Sequence, residues 1–167
     1  VAAAWAALGG VPLILEGFVR FDREVSIVGA RSTRGETRAY PIVANTHREG
    51  ILRVTVAPVR DARLQRAAEG HLQSVFDHFG YAGVLTIEFF VAGGRLVANE
   101  MAPRVHNSGH WTIEGAATSQ FENHLRAILG LPLGDTRPLG HAAMVNFIGT
   151  MPDRSQLLAM PGVHYHD

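Results

Sequence analysis

A β-hairpin signal in the second half of the chain constrains the fold more than any other feature. Val84 to Val91 is rich in β-branched and aromatic residues, Gly93-Gly94 follows as a turn, and Leu96 to Met101 has the pattern of a returning strand. Alternate residues of the first strand form one apolar face, and Glu88 points to the other face. The apolar side comprises Leu85, Ile87, Phe89 and Val91. Such a hairpin needs further strands and a core that covers its apolar face.

Four apolar runs in the first third of the chain predict further strands, arranged as an antiparallel meander. The runs are Leu13 to Val19, Glu24 to Arg31, Arg38 to Ala44 and Ile51 to Ala57. Polar or glycine-bearing turns separate them, such as Thr33-Arg34-Gly35-Glu36. Together with the hairpin, the runs predict an α+β fold with helices packed on an antiparallel sheet.

Helical periodicity and capping residues predict three helices. The alanine-rich residues 1–10 have the composition of the last turns of a helix. Apolar residues recur at helical spacing in Asp61 to Phe79, whose first residue is a suitable N-cap and which Gly80 terminates. A helix from Ser119 to Leu129 begins with a capping box that Glu122 completes. These helices would cover the apolar face of the sheet.

A proline- and glycine-rich stretch, Leu131 to Gly140, predicts a domain boundary. In this interpretation residues 1–130 form the main domain and 131–140 a linker. Residues 141–167 then begin a small C-terminal β-rich domain, with His141 to Ile148 as its first strand. Both ends of the sequence have the pattern of interior segments, so we expect this chain to be a fragment of a longer protein.

Charge and cysteine content narrow the function classes. Lysine plus arginine total 15, as do aspartate plus glutamate, so no global basic field predicts a nucleic acid or a membrane as partner. Cysteine is absent, which excludes disulfide frameworks, thiol nucleophiles and thiolate metal sites and fits a reducing cytoplasm. Any charged ligand must therefore bind at a local site.

Two glutamates on the hairpin, Glu88 and Glu100, suggest such a site. They are 12 positions apart, so a loop of odd length would place them opposite each other, whereas a two-residue loop would break the pairing. Carboxylates about 5 Å apart repel unless a proton or a cation lies between them. Oxygen ligands without cysteine favour Mg²⁺ or Mn²⁺ over zinc. The alternative is a pair of surface acids balanced by Arg95 or Arg104, which spacing alone favours.

The loop that follows Glu100 is unusually polar. Met101 to Trp111 contains an arginine, two histidines, an asparagine and a serine. Arg104 offers a planar fork suited to phosphate or carboxylate, and Asn107 and Ser108 offer further donors. The loop could instead satisfy its own polar groups around a buried tryptophan. Donors next to paired acids favour a site where an anion meets a metal.

The same loop carries a family resemblance. The run Asn99-Glu100-Met101-Ala102-Pro103-Arg104-Val105-His106-Asn107-Ser108-Gly109-His110-Trp111-Thr112 closely resembles the 5-(carboxyamino)imidazole ribonucleotide synthases, which are ATP-grasp enzymes of purine biosynthesis. The segments Ser119 to Glu122, His124 to Ala127, Glu24 to Arg31 and His47 to Arg53 extend the resemblance over nearly the whole chain. It implies that residues 1–130 are the C-terminal part of an ATP-grasp domain.

The resemblance also implies three groups of site residues. Those implied to bind ATP are Glu16, Gly17, Phe18, Val19, Glu24, His47, Asn99 and Glu100. Those implied to hold Mg²⁺, with Mn²⁺ as the alternative, are Glu88 and Glu100. Those implied to face bicarbonate, carboxyphosphate or the ribonucleotide are Arg104, His106 and Asn107.

The implied reaction is the ATP-dependent carboxylation of 5-aminoimidazole ribonucleotide with bicarbonate, by way of carboxyphosphate. The resemblance further implies a homodimer for the full-length protein and no ligase activity for this fragment alone. Two alternatives remain open. One is another ATP-grasp carboxylase or transformylase, and the other is a non-catalytic nucleotide-binding or dimerisation module on the same scaffold.

Overall fold

An antiparallel sheet of seven strands organises the chain, which the computed structural model describes over residues 2–166. The strands run in the order β6-β5-β1-β3-β4-β7, with β2 paired to β1. Their bounds are β1 Arg23–Arg31, β2 Thr37–Ala39, β3 Val43–Arg48, β4 Ile51–Ala57, β5 Gly83–Ala92, β6 Arg95–Ala102 and β7 Ala142–Val145. The helices are α1 Ala2–Ala7, α2 Ala62–Phe79, α3 Thr112–Gly115, α4 Gln120–Ile128 and α5 Arg154–Leu158. The predicted α+β class is confirmed.

Helix α2 covers one face of the sheet, as its periodicity predicts. Asp61 caps it by accepting from the backbone N–H groups of Arg63 and Leu64, and Gly80 ends it with a φ of 57°. The buried stripe of α2 packs on the apolar faces of β1 and β5, and each fully buried aliphatic or aromatic side chain contributes about 1.5–3 kcal/mol. The stripe consists of Leu64, Ala68, Leu72 and Phe76. The predicted apolar side of the hairpin strand lies in this same core.

The opposite face of the sheet packs against α4 and the polar loop. Tyr40 and Trp111 meet edge to face there, with ring centroids 6.5 Å apart. The Tyr40 hydroxyl donates to the Thr118 carbonyl and accepts from the Asn123 amide. Ser119 caps α4 by accepting from the backbone N–H of Glu122. The Glu122 carboxylate pairs with Arg126, so only the serine half of the predicted capping box is observed.

One predicted strand is wrong and another is divided in two. Residues 11–20, which include the predicted strand Leu13 to Val19, lie outside helices and strands, and Phe18 is 91% exposed. Among the described residues no neighbouring strand pairs with this segment, and an apolar run without a partner gains nothing from an extended conformation. The run Arg38 to Ala44 is divided between β2 and β3 because Pro41 lacks the N–H that a ladder requires.

The predicted boundary stretch packs closely against the sheet. Leu133 is buried in the core on the α4 side, and β7 pairs antiparallel with β4. The predicted strand His141 to Ile148 is correspondingly shorter, because only four residues pair. The division into residues 1–130, 131–140 and 141–167 stays a prediction.

None of the helices in the described part of the chain has the length and apolar composition needed to cross a membrane.

Candidate functional site

The hairpin places Glu88 opposite Glu100, but by a different route from the one the spacing suggests. Its turn has only two residues, Gly93 and Gly94, both with positive φ, and pairing is regular up to Phe89 and Ala98. A β-bulge then leaves Asn99 unpaired and brings Glu100 opposite Glu88. The expectation that a two-residue loop would break the pairing is therefore wrong, because the bulge restores it.

Glu88 is a buried acid with little to balance it. Its side chain lies under the polar loop and the residue is 8% exposed, whereas Glu100 is exposed at the rim. Burial raises the pKa of Glu88 above its ordinary value of 4.5, the carboxylates of Glu100 and Glu24 raise it further, and His47 lowers it. Within the described chain neither acid forms an ion pair with Arg95 or Arg104, so the surface-pair alternative is wrong for Glu88.

His106 completes this cluster. Its Nε2 lies 3.7 Å from Glu88 Oε1, and one ligand atom from each of Glu88, Glu100 and His106 falls within 4.8 Å of the others. Burial lowers the pKa of His106 below its ordinary value of 6.5, and Arg104 lowers it further. The lowered pKa favours the neutral imidazole near neutral pH, so His106 does not supply Glu88 with a full positive charge. Two facing carboxylates, one buried without a full counter-charge, fit a hard divalent cation such as Mg²⁺ or Mn²⁺.

Glu24 and His47 lie on the same face of the sheet as the acid pair. Glu24 pairs in register with Phe90 on one side and Asn45 on the other, and its Oε2 is 3.0 Å from His47 Nδ1. A bulge between Thr46 and His47 adjusts the position of the histidine. The structure thus brings together the two residues implied to meet the ribose and the phosphates, and places them beside Glu88.

The other predicted residues lie around this centre or away from it. Asn99 is exposed at the bulge, and the exposed Arg104 donates to the Val105 carbonyl at 2.9 Å. Asn107 is exposed at the start of a 3₁₀ turn, Asn107–Gly109. Residues 16–19, the predicted adenine-binding strand, belong to the exposed segment outside the sheet. The structure does not bring them to the acid pair.

Gln120 anchors the polar loop, a role that the sequence did not indicate. It is fully buried at the start of α4, and its side-chain amide bonds both backbone groups of His106. The His106 N–H donates to Gln120 Oε1 at 3.0 Å, and Gln120 Nε2 donates to the His106 carbonyl at 2.7 Å. Gly109 contacts this amide so closely that a Cβ there would lie 2.4 Å from Oε1. The amide therefore fixes the loop that carries His106.

A line of buried polar side chains was also missed. Thr55 Oγ1 donates to Asn45 Oδ1 at 3.0 Å, and Asn45 Nδ2 donates to Ser26 Oγ at 2.9 Å. Ser26 Oγ donates to Ser108 Oγ at 2.8 Å, and Ser108 Oγ lies 2.9 Å from His106 Nδ1. The available signal was a polar residue in, or directly after, each of three predicted strands, which became β1, β3 and β4, all in the interior of the sheet. Only the strand register shows that these residues meet.

Arg53 is a further residue of this face that sequence reasoning did not single out. It is the extra residue of the bulge in β4, because His47 pairs with Leu52 and Thr46 with Val54. Its Nε is buried and has no hydrogen-bond partner within residues 2–166. A guanidinium with an unpartnered Nε on a face that carries several acids is a candidate contact for an anion.

Comparison with known proteins identifies the family of the chain. Residues 1–121 match the family model of the ATP-grasp domain. N5-carboxyaminoimidazole ribonucleotide synthase of Pseudomonas aeruginosa is 56% identical over 99% of this chain and 46% of its own length. The crystal structure of the synthetase from Thermus thermophilus superposes with a TM-score of 0.94 at 56% identity, over 98% of this chain and 46% of that chain.

A more distant structure contains bound ligands. The synthase from Aspergillus clavatus, in complex with ADP and 5-aminoimidazole ribonucleotide, has a TM-score of 0.87 at 32% identity, over 96% of this chain and 45% of that chain. This chain spans about half the length of the relatives it matches. The family model covers most of the chain, and the predicted ATP-grasp fold is confirmed. The chain belongs to the ATP-grasp family.

Proposed function

We propose that the protein containing this chain carboxylates 5-aminoimidazole ribonucleotide with bicarbonate, using ATP, in de novo purine biosynthesis. The observation that carries the proposal is the buried Glu88, paired with Glu100 across the hairpin and covered by the loop that holds His106. The names and ligands of the similar proteins support the same assignment. The resemblance adds that the full-length protein is a homodimer, and the absence of cysteine fits a reducing cytoplasm.

In this proposal the acid pair serves the nucleotide. Glu88 and Glu100 hold Mg²⁺, which when bound neutralises charge on the phosphates. Glu24 and His47 contact the ribose and phosphates, and Asn99 contributes from the bulge. Residues 16–19 meet the adenine through their backbone. The hydrogen bond between Glu24 and His47 orients both side chains before ATP binds.

The loop serves the anions. A bicarbonate oxygen attacks the γ-phosphorus of ATP, ADP leaves, and carboxyphosphate forms. The exocyclic amine of the ribonucleotide then bonds to the carboxyl carbon as phosphate leaves and the nitrogen loses a proton. Arg104, His106 and Asn107 face these species and stabilise their negative charge with fixed donors. Because Gln120 holds the backbone of His106, this donor is positioned in advance.

The proposal is tested by measuring ADP formation in the full-length protein with bicarbonate and a set of candidate acceptors. We expect 5-aminoimidazole ribonucleotide to stimulate ADP formation. Glu88→Gln and Glu100→Gln are each expected to abolish the stimulated rate, whereas Glu114→Gln, an exposed acid on α3, leaves it unchanged. Stimulation by a different acceptor alone would assign another ATP-grasp reaction.

Two further measurements, on the double variant and on the isolated segment 1–167, test the alternatives to this proposal. Function that persists in the Glu88→Gln, Glu100→Gln double variant would indicate a non-catalytic module. The segment 1–167 alone is expected to be inactive, since it spans less than half of the similar synthases. Turnover by that isolated segment, dependent on the ribonucleotide, would contradict this expectation.

A further inference from the structure

The buried polar line that ends at His106 has a defined direction. An amide nitrogen can only donate, so the Ser26 hydroxyl accepts from Asn45 and its own proton is left for Ser108. Ser108 in turn has its hydroxyl proton available for His106 Nδ1. The Thr55 hydroxyl donates to Asn45 Oδ1 and holds the amide in the orientation that sets this direction. Every bond in the line therefore points towards Nδ1.

A second contact shows independently that His106 Nδ1 accepts a hydrogen bond. The backbone N–H of Ser108 donates to His106 Nδ1 at 3.3 Å, and a backbone N–H has no lone pair with which to accept. Nδ1 must therefore be unprotonated in neutral His106. Because Ser26, Thr55 and Ser108 are fully buried and Asn45 is nearly so, water does not compete for these groups.

We propose that the relay Thr55–Asn45–Ser26–Ser108 holds neutral His106 in the tautomer that carries its proton on Nε2. His106 then presents an N–H donor, not a lone pair, to the Glu88 and Glu100 carboxylates. Of the three clustered groups, only the two acids remain as ligands for a cation, and His106 donates to Glu88 or to a bound anion. The four relay residues are positioning residues that act through His106.

This inference deepens the proposed function, on which its catalytic meaning rests, but the tautomer is measurable without metal, nucleotide or turnover. Failure of the carboxylase assay and failure of this inference are therefore separate results. The measurement is a two-bond ¹H–¹⁵N correlation spectrum of the full-length protein labelled with ¹⁵N-histidine, near neutral pH. The resonances of His106 are those that disappear in His106→Gln.

In the unmodified protein we expect the Nδ1 resonance at the position of an unprotonated nitrogen and the Nε2 resonance at that of a protonated one. Thr55→Val removes the first donor with little change of shape, and Ser108→Ala removes the last hydroxyl. Both are expected to move the Nδ1 resonance towards the averaged position of exchanging tautomers. Thr55→Ser, which keeps the hydroxyl, and Ser74→Ala, on the exposed side of α2, are expected to leave it unchanged.

A protonated Nδ1 in the unmodified protein would overturn the proposed tautomer. An unprotonated Nδ1 that stays unchanged in both Thr55→Val and Ser108→Ala would overturn the role of the relay. If either variant fails to fold, the spectrum of the unmodified protein still decides the tautomer, and the remaining variant decides the relay.

Discussion

Replacing Gln120 by alanine is expected to lower the free energy of unfolding by about 1–3 kcal/mol for a lost buried hydrogen bond, plus the cost of the new cavity. The side-chain amide accepts from the buried N–H of His106 and donates to its carbonyl. The carbonyl also accepts from the backbone N–H of Gly109 at 3.0 Å, so only the His106 N–H would lose its partner. A buried polar group left without a partner costs about 1–3 kcal/mol, and the new cavity adds to this. The loss would fall on the loop that carries the proposed anion contacts.

Gly109→Ala tests the same contact from the other side. Its Cβ would lie 2.4 Å from Oε1 and 2.6 Å from Cδ of Gln120, so the amide must move. Overpacking of this kind costs about 1–3 kcal/mol. Gln120→Ala removes the obstructing atoms, so adding Gly109→Ala to that variant should cost less than about 1 kcal/mol. The two substitutions are expected to be strongly non-additive.

Urea unfolding followed by circular dichroism measures these differences. Gln73→Ala is the matched control, because Gln73 bonds Thr37 and Asp77 on the exposed side of α2. Its cost is expected to stay below about 1 kcal/mol. A Gln120→Ala variant as stable as the control, or additive costs for Gln120→Ala and Gly109→Ala, would refute this account of the loop.

Two further predictions concern the two cores. Burial raises the pKa of Tyr40 well above its ordinary value of 10.0, so the unfolded chain loses the phenolic proton first and stability falls as pH rises above 10.0. Tyr40→Phe should reduce this alkaline slope in urea titrations without abolishing it, because burial also raises the pKa of Tyr81. An unchanged slope would contradict the assignment. Phe76→Ala should lower the free energy of unfolding by about 3–5 kcal/mol because Phe76 is fully buried under the sheet. Phe79 is 62% exposed on the same helix, so Phe79→Ala should lower it by less than about 1 kcal/mol. Equal losses in urea unfolding would contradict the core assignment.

The sequence predicted those parts of the fold that depend on neighbours along the chain. The helix from Ala62 to Phe79 follows from its periodicity and from the capping residues at its ends. The hairpin follows from two strand-forming runs around a glycine turn. These signals are local, so the helix and the hairpin can be predicted without knowledge of the rest of the molecule.

Features that depend on contacts across the sheet could not be predicted in this way. The bulge at Asn99 depends on how β6 pairs with β5. Residue spacing alone predicts that a two-residue turn would keep Glu88 and Glu100 from facing each other. The buried relay needs the register of β1, β3 and β4 before Ser26, Asn45 and Thr55 are seen to meet. The strand predicted for residues 13–19 is absent because a strand also requires a partner strand.

The same division holds for the candidate site. The acid pair and the polar loop were found from residue type and spacing, and the family resemblance gave them roles. Gln120 lies within the resembling segment Ser119 to Glu122, but nothing in a sequence shows that a glutamine side chain will bond to a backbone 14 residues away. Burial of Glu88, which decides against a surface pair, also required the structure.

The central claim is that Glu88 and Glu100 together hold the divalent cation of a bound nucleotide. The most direct test is the affinity of Mn²⁺ for the full-length protein in the presence of ADP, measured by electron paramagnetic resonance. Glu88→Gln and Glu100→Gln are each expected to weaken Mn²⁺ binding by at least about tenfold, which corresponds to about 1.4 kcal/mol, whereas Glu114→Gln leaves it unchanged. Mn²⁺ affinity that is unchanged in both hairpin variants would contradict the claim.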